Sequence, residues 1–375
     1  MKRIQRLLLV CFACCGIHAT AFAASLSDSI AVIRAVGPEG KGNADAAVAW
    51  KNLSNAPATE VPTLLAAMDG ANELALNWLR SAVDAIVARA AAKPEALPVA
   101  ALEKFVRDQS HHPRARRFAY ELIASADAKA GDKLMTGMLD DPGPELRREA
   151  VQRLITEAEK LRKAGQTNDA ITKYQAALKP AREADQIDAI AEELGKLGAP
   201  VELQKVFGWV TKWQVVGPFD NTCGAGFERA FPPETAVDLK AEYDGKTGKV
   251  RWQEVATTDD YGLVDFNKPI GSLKGATAYA WTEIDSDQAH AVELRVGCDN
   301  GWKVWLNGKL LFGRDEYHSG TEIDQYRMPA ELKAGPNTIL VKLCQNEMVA
   351  EWTKTWEFQL RITDAIGTPI SLAKK

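Results

Sequence analysis

Five side chains able to do chemistry stand within nine residues of one another: Glu316, Tyr317, His318, Glu322 and Asp324. Asn346 and Glu347 follow a later apolar run, and Trp352 comes shortly after them. Carboxylate and amide oxygens of this kind suit Ca2+, which takes about six to eight oxygen ligands, and equally suit the hydroxyls of a sugar. Tyr317 and Trp352 offer rings with an apolar face and a polar edge, the shape needed to stack on a sugar ring. The polar stretch from 314 to 324 is also longer than a hairpin connection, which usually runs about two to five residues. Glu316, Tyr317, His318, Asp324, Asn346, Glu347 and Trp352 are therefore the candidate ligand residues. For Asp299 and Asn300 the plainer account is turn geometry, since such side chains bond their own backbone in turns.

Other chemistries have less behind them. Glu316, Glu322, Asp324 and Glu347 could supply the carboxylate pair of a glycosidase, but the sequence sets no separation between them, and no catalytic residue is assigned. Beyond the first 23 residues there is no G-x-S-x-G, H-E-x-x-H, P-loop or C-x-x-C pattern. The glycines from Gly37 to Gly42 follow no strand, so they read as a loop joining two helices rather than a phosphate cradle. The densest basic cluster, His111 to Arg117, reads as a solvated helix start with salt bridges, an acidic partner or anion being the alternative. Its adjacent histidines would not converge on one metal. Trp302 and Trp305 lie three apart in an extended run and point to opposite faces, whereas Trp352 and Trp356, four apart, would share one.

The elements that hold these residues are legible from period. Val292, Leu294, Val296 and Cys298 alternate with Glu293, Arg295 and Gly297, as in a strand with one buried face. Asn300-Gly301 and Asn307-Gly308 supply the residues of two-residue type I′ turns, which predicts an antiparallel meander of three strands. Further strands are predicted at 209–216, 249–255, 277–284, 338–345 and 356–363. Many short strands between turn signals imply a β-sandwich of jelly-roll type. Upstream the period changes to that of amphipathic helices: 71–92, with Leu74, Trp78, Leu79, Ala82 and Ile86 on one face, then about 114–125 and 144–164.

Eight of the ten tryptophans lie after residue 205, and Gly198-Ala199-Pro200 is a helix stop followed by extended chain. The expected organisation is a helical domain over 24–204 and a β-sandwich over 205–375, the latter folding alone. Residues 1–23 carry Lys2, Arg3 and Arg6, an apolar run and Ala21-Phe22-Ala23, the pattern of a secretory signal peptide cut near Ala23. The protein is then exported, periplasmic or secreted, with no transmembrane segment. Cleavage removes three of 46 basic residues and none of the 50 acidic ones, leaving 43 against 50 and a net charge of −7. An acidic balance argues against nucleic acid as a partner. Cys223, Cys298 and Cys344 remain, an odd number in an oxidising compartment, so at least one is unpaired within the chain. A bridge between Cys298 and Cys344 is not expected, because their strands present them on faces of different character.

The segment Asp140-Asp141-Pro142 followed by Arg147, Ala150 and Leu154 resembles a HEAT repeat. Ala82, Ala119 and Ala150 recur at spacings of 37 and 31 residues, within the range of helical-hairpin repeats. Ala170, Ile171, Tyr174, Ala177 and Leu178, then Ile187, Ile190, Ala191 and Leu194, resemble a tetratricopeptide-type hairpin. Together these imply an α-solenoid, with a compact bundle as the alternative. The run GCDNGWKVWLNGKLLF, then LKAGPNTILVKLCQN and WEFQLRITDAIGTPI, resembles the galactose-binding-like jelly roll. With WQVVGPFDN and FPPE, nearly the whole chain after the leader resembles a family of exported bacterial repeat-plus-jelly-roll proteins with no assigned activity. The resemblance implies an α+β multidomain fold, an N-terminal solenoid followed by the jelly roll. Related jelly rolls often hold a structural Ca2+, for which no ligand set is assigned here. The function so expected is a non-catalytic binding or scaffold protein, its helical repeats contacting protein or peptide and its jelly roll a glycan. A pure assembly module without sugar binding, and a hydrolase of a glycan or envelope polymer, stay open beside it.

Overall fold

The computed structural model describes residues 25–92 and 97–370. Residues 1–23, read above as a signal peptide, lie outside the described residues. The fold is α+β, helical in its first half and built of antiparallel sheets in its second. The chain divides into two compact units, one ending at Leu134 and the other beginning at Met135. Among the described residues no helix is long and apolar enough to cross a membrane.

In the first unit α1 (Leu26–Arg34), α2 (Asn43–Leu53), α3 (Val61–Ala66), α4 (Glu73–Ala92), α5 (Val99–Arg107) and α6 (Pro113–Ala126) lead to α7 (Ala128–Met135). Sequence-local chemistry starts several of them. At α1 the Ser25 hydroxyl accepts the Asp28 N–H at 3.1 Å while the Asp28 carboxylate accepts the Ser25 N–H at 3.3 Å, a reciprocal capping box. At α6 the ring of Pro113 occupies the first helical position, where a missing N–H costs nothing. The buried face of α4 runs through Ala75, Leu76, Leu79, Ala82, Val83 and Ile86. Leu74 is exposed and Trp78 half-buried, so the apolar stripe is rotated from the one predicted. The Gly37–Gly42 stretch is a short turn between α1 and α2, as expected of a connecting loop.

The second unit opens with α8 (Pro144–Lys163), α9 (Thr167–Leu178), α10 (Ala184–Lys196) and α11 (Leu203–Phe207). Tyr174, Ala177, Ile187, Ile190 and Leu194 bury against Val151 and Ala158, in the helical spacing read from sequence. Gly198 ends α10 in the left-handed region (φ 78°), and the Ala199 N–H closes back on the Leu194 carbonyl at 2.9 Å.

The strands follow: β1 (Lys212–Asp220), then a short helix α12 (Pro232–Thr235), β2 (Glu242–Asp244), β3 (Lys249–Arg251), β4 (Gln253–Ala256), β5 (Val264–Asp265), β6 (Ala276–Ser286), β7 (His290–Cys298), β8 (Gly301–Leu306), β9 (Lys309–Arg314), β10 (Tyr326–Leu332), β11 (Gly335–Gln345) and β12 (Glu357–Thr363). One sheet has the order β4-β1-β6-β11-β8-β9, a second β10-β7-β12-β5, and β2-β3 form a ribbon. Val215, Ala278, Val304, Val341 and Leu343 of the first sheet share one apolar cluster with Leu294, Val296, Phe358, Leu360 and Ile362 of the second. The alternation in β7 and β11 puts those side chains on the common side.

The predicted meander is half right. Asn307 (φ 52°) and Gly308 (φ 79°) make the two-residue turn joining β8 to β9, with Leu306 opposite Lys309. The chain at Asp299-Asn300 instead passes from one sheet to the other, since β7 pairs with β10 and β12 while β8 pairs with β11 and β9. Both strands are interior to their sheets, so the two-residue step joins the facing sheets rather than a hairpin pair. A Cβ added at Gly308 meets nothing within 4 Å, so Gly308→Val should cost only the left-handed backbone penalty, about 1–2 kcal/mol. Denaturant melts check this, and a neutral result would show that the turn relaxes to another type. The three cysteines among the described residues are free: Cys223 is exposed, while Cys298 and Cys344 are buried, with Cys298 in the shared cluster and Cys344 beside the Thr277 hydroxyl at 3.3 Å.

Candidate functional site

The predicted ligand residues divide into those that meet and those that do not. His318 is the centre of the first group. It adopts φ 65°, an uncommon conformation for a residue with a Cβ, and its N–H donates to the Asp299 carbonyl at 2.6 Å. The turn this makes carries the imidazole into the interior, where Nε2 lies 3.2 Å from Asn346 Oδ1. That oxygen also accepts the Met348 N–H at 3.1 Å, which identifies it as the carbonyl side of the amide and makes Nε2 the donor. Nδ1 is buried without a hydrogen-bond partner, 3.8 Å from Asp299 Oδ2. The other oxygen of Asp299 accepts the Gly320 N–H at 2.6 Å, pinning the far side of the loop.

Trp352 stands edge-on to the His318 ring, centroids 5.1 Å apart and planes at 82°. It is 63% exposed, which leaves most of the indole open to a ligand. It sits in a turn of 3-10 helix from Glu351 to Thr353, so it does not share a face with Trp356, which is buried. Tyr317 is half-buried and its hydroxyl accepts from Asn221 Nδ2 at 3.3 Å; burial pushes the phenol's pKa up. Asn221 Nδ2 also donates to the Gln345 carbonyl at 3.1 Å, joining the first loop of the sheet to the end of β11. Glu347 is exposed and accepts the Cys223 N–H at 2.5 Å. Tyr317, His318, Asn346, Glu347 and Trp352 are thus tied, directly or through Asn221 and its neighbours, to the loops around the end of β11.

Glu316 and Asp324 take no part in this cluster. Glu316 is exposed and pairs with Arg314. Asp324 lies on the outer face of the second sheet, bridging Arg361 at 2.7 and 2.6 Å and Arg295 at 2.6 Å. Burial pushes its carboxyl up, but the hydrogen bonds and charge of Arg361, with those of Arg295, outweigh that and hold it below the usual carboxylate value. It is a counter-ion for two buried cations.

The oxygens considered for Ca2+ have hydrogen-bond partners of their own. Asp299, Asp324 and Glu347 already accept from N–H donors, Asn300 Oδ1 accepts the Glu357 N–H at 3.2 Å, and these groups belong to different sheets. Among the described residues no three of His, Cys, Asp and Glu gather as a metal shell.

The other aromatics are mostly structural. Trp302 and Trp356 are buried in the shared core, and Tyr326 packs on Trp302 at 5.1 Å. Trp305 lies on the opposite side of β8, as its spacing predicts, in register with Leu340 and Trp281 across three strands. With Pro233 and Val237 these rings line a hollow of about 280 Å³. A second hollow of about 720 Å³ opens by Val292, Leu306, Leu311, Pro329 and Ala330. The sequence reading names neither, because cross-strand neighbours become visible only once register is known. The basic cluster at 111–117 is held internally: His111 stacks on Phe105 at 3.9 Å and bonds Asp69 at 2.7 Å, and Arg114 pairs with Glu73.

No family model matches the chain, and no curated protein does. Among solved structures, the PA14 domain of the MpAFP antifreeze protein is similar at TM-score 0.25 and 14% identity, over 42% of this chain and 82% of that one. A GH31 alpha-xylosidase from Xanthomonas citri is similar at TM-score 0.22 and 10% identity, over 42% of this chain, which spans 18% of the xylosidase.

Proposed function

We propose that this is an exported, non-catalytic binding protein whose second half is a galactose-binding-like jelly roll engaging a glycan, and whose HEAT/tetratricopeptide-like repeats form a solenoid that contacts protein or peptide. The domains of that reading are 24–204 and 205–375, after a signal peptide. The observation that carries the glycan reading is the exposed indole of Trp352 beside His318, with Asn346 and Glu347 next to it. It supplies the apolar platform and the directional polar groups that a sugar needs together. A non-catalytic role is supported by the loop carboxylates: Asp324 is clamped by two arginines, Glu316 by Arg314, and Glu347 accepts a backbone N–H.

One feature favours a protein partner at this end instead. Met348 (45% exposed), Val349 (82%) and Trp352 form an apolar tip on one loop. Calorimetry of the secreted protein with a panel of neutral and acidic oligosaccharides, and separately with Ca2+, distinguishes the readings. Trp352→Ala should leave stability within about 0.5 kcal/mol, since the ring is largely exposed. It should weaken a binding sugar by roughly 1 kcal/mol or more, about fivefold. Equal affinity in the variant would sink the stacking role, and no heat from any ligand would return the domain to the assembly reading.

A further inference from the structure

A cleft of about 370 Å³ lies within the second unit, where the first turns of α8 and α10 face the outer surface of the β10-β7-β12 sheet. Five arginines line it, Arg147, Arg148, Arg182, Arg295 and Arg327, against three carboxylates, Glu183, Asp185 and Asp324. The pairing among them is uneven. Arg148 forks onto Asp185, Arg147 reaches Glu183 at 3.1 Å, and Arg295 is taken by Asp324 and Glu293. Arg182 bonds only neutral oxygens at short range, Thr368 Oγ1 at 3.0 Å and the carbonyls of Lys179 and Ala181 at 2.7 Å. Arg327 stands 3.9 Å from an Asp324 oxygen that two other arginines already hold. Arg182, on which Asp364, Glu183 and Asp140 act without a direct hydrogen bond, and Arg327 are thus the least directly paired cations of the cleft.

Two orphaned atoms specify more than charge. Arg147 is 3% exposed, yet its Nε has no hydrogen-bond partner. Oε2 of Glu183, its ion-pair partner, is likewise buried and unpartnered. A buried donor and a buried acceptor left open on two residues lining one cleft are costly unless something fills both. An incoming group must bring an acceptor for the arginines and a donor for Glu183. An ammonium donor would meet the arginine surplus, so the donor is a hydroxyl.

We propose that this cleft binds a small polyhydroxylated anion, a sugar acid or a sugar phosphate, with its anionic group between Arg182 and Arg327 and a hydroxyl on Glu183. The cleft's volume is within the range of small-molecule sites, about 300–1,000 Å³. Residues of the first turns of α8 and α10 line the cleft, and helix N-termini add favourable potential for an anion. Burial, and after it the neighbouring Arg147 charge, depress the Arg182 pKa and outweigh the opposing pull of Asp364, Glu183 and Asp140. The site is separate from the Trp352 loop, so its failure and that of the glycan reading are independent.

The test is calorimetry of the full chain at low ionic strength with glucuronate, glucose 6-phosphate, inorganic phosphate and glucose. Binding of glucuronate or glucose 6-phosphate, with glucose silent and inorganic phosphate at least about tenfold weaker, is the expected pattern; which of the two acids binds tells carboxylate from phosphate. Arg327→Gln changes an exposed side chain, should keep the thermal transition, and should weaken the acid about tenfold, as loss of one charge-assisted contact does. Arg182→Gln should do the same or more. Silence from both acids, glucose binding as well as glucuronate, phosphate binding as well as glucose 6-phosphate, or unchanged affinity in the folded Arg327 variant would each overturn the proposal.

Discussion

Asp324→Asn should destabilise the protein by about 3–5 kcal/mol, the cost of leaving a buried charge without its partner. Strand register explains why the loss is large. Arg327, Arg295 and Arg361 stand opposite one another across β10, β7 and β12, three like charges in one cross-strand row. Such a row repels, and Arg295 and Arg361 are both almost wholly buried. Asp324 enters from the loop before β10 and binds both guanidiniums, while Glu293 takes the remaining face of Arg295. Arg361 is further held by the rings of Phe207 and Trp209, 5.5 and 5.6 Å from its guanidinium carbon, and so has nowhere to turn. Asparagine keeps the shape and some hydrogen bonding but removes the charge.

The same network fixes a direction with pH. The folded-state carboxyl is depressed, so its contribution is complete above the ordinary carboxylate pKa and disappears as pH falls through the lower folded value. Wild type should therefore lose stability steeply on acidification below about pH 4, and the Asn variant should lack that component while starting less stable. Denaturant melts of both proteins between neutral pH and the acid limb check the two statements together. A loss under about 1 kcal/mol at neutral pH would mean that Glu293 and solvent compensate the pair, and that Asp324 is spare.

Asp324 also shows where sequence reading stops. It sits six residues from His318 in a single polar loop, and composition makes the two look like parts of one site. The loop, however, spans two faces: His318 turns inward to Asp299 and Asn346, while Asp324 reaches arginines 29 and 37 residues away in sequence. Partners at that range are set by strand order, which period-2 alternation does not contain. What alternation and turn chemistry do contain came through. The helices at 73–92, 113–126 and 144–163, the helical pair at 167–196 and the long strands β6, β7, β11 and β12 lie where their apolar spacing puts them. Asn307-Gly308 makes its turn because φ > 0 is a local demand. Asn300-Gly301 has the same residue types but connects two sheets, and no local property tells a hairpin from a crossing. β10 escaped notice because Pro329 and its charged neighbours break the apolar run; as an edge strand it can tolerate both. The arginine cleft is invisible for the strongest form of the same reason, its cations coming from one helix, an interhelical connection and two strands between 147 and 327.

The fragment 135–375 should unfold in one cooperative transition, whereas 205–375, cut at the point where helices give way to strands, should be several kcal/mol less stable or fail to fold. The change of secondary structure near Gly198 and the seam at Leu134/Met135 are different boundaries. Between them, α8, α9 and α10 bury Phe207 and Trp209, which immediately precede β1, among Tyr174, Ile187, Ile190 and Leu194. Each of these rings contributes about 1.5–3 kcal/mol by leaving water, a large share of a domain's net stability of about 5–15 kcal/mol. The sandwich is shaped to receive them: a Cβ on Gly262 would lie 2.5 Å from the Trp209 ring, so that position admits only glycine. Polar contacts cross the same junction, from the Tyr261 hydroxyl to Asp188 at 3.3 Å and from Arg182 to Thr368 at 3.0 Å. Removing the three helices would also uncover the Arg361 face and leave its stacked rings in solvent. Parallel urea melts of both fragments, followed by tryptophan fluorescence, decide it. Equal midpoints would show that the helices ride on a self-sufficient sandwich, as the domain limit at 204/205 expects.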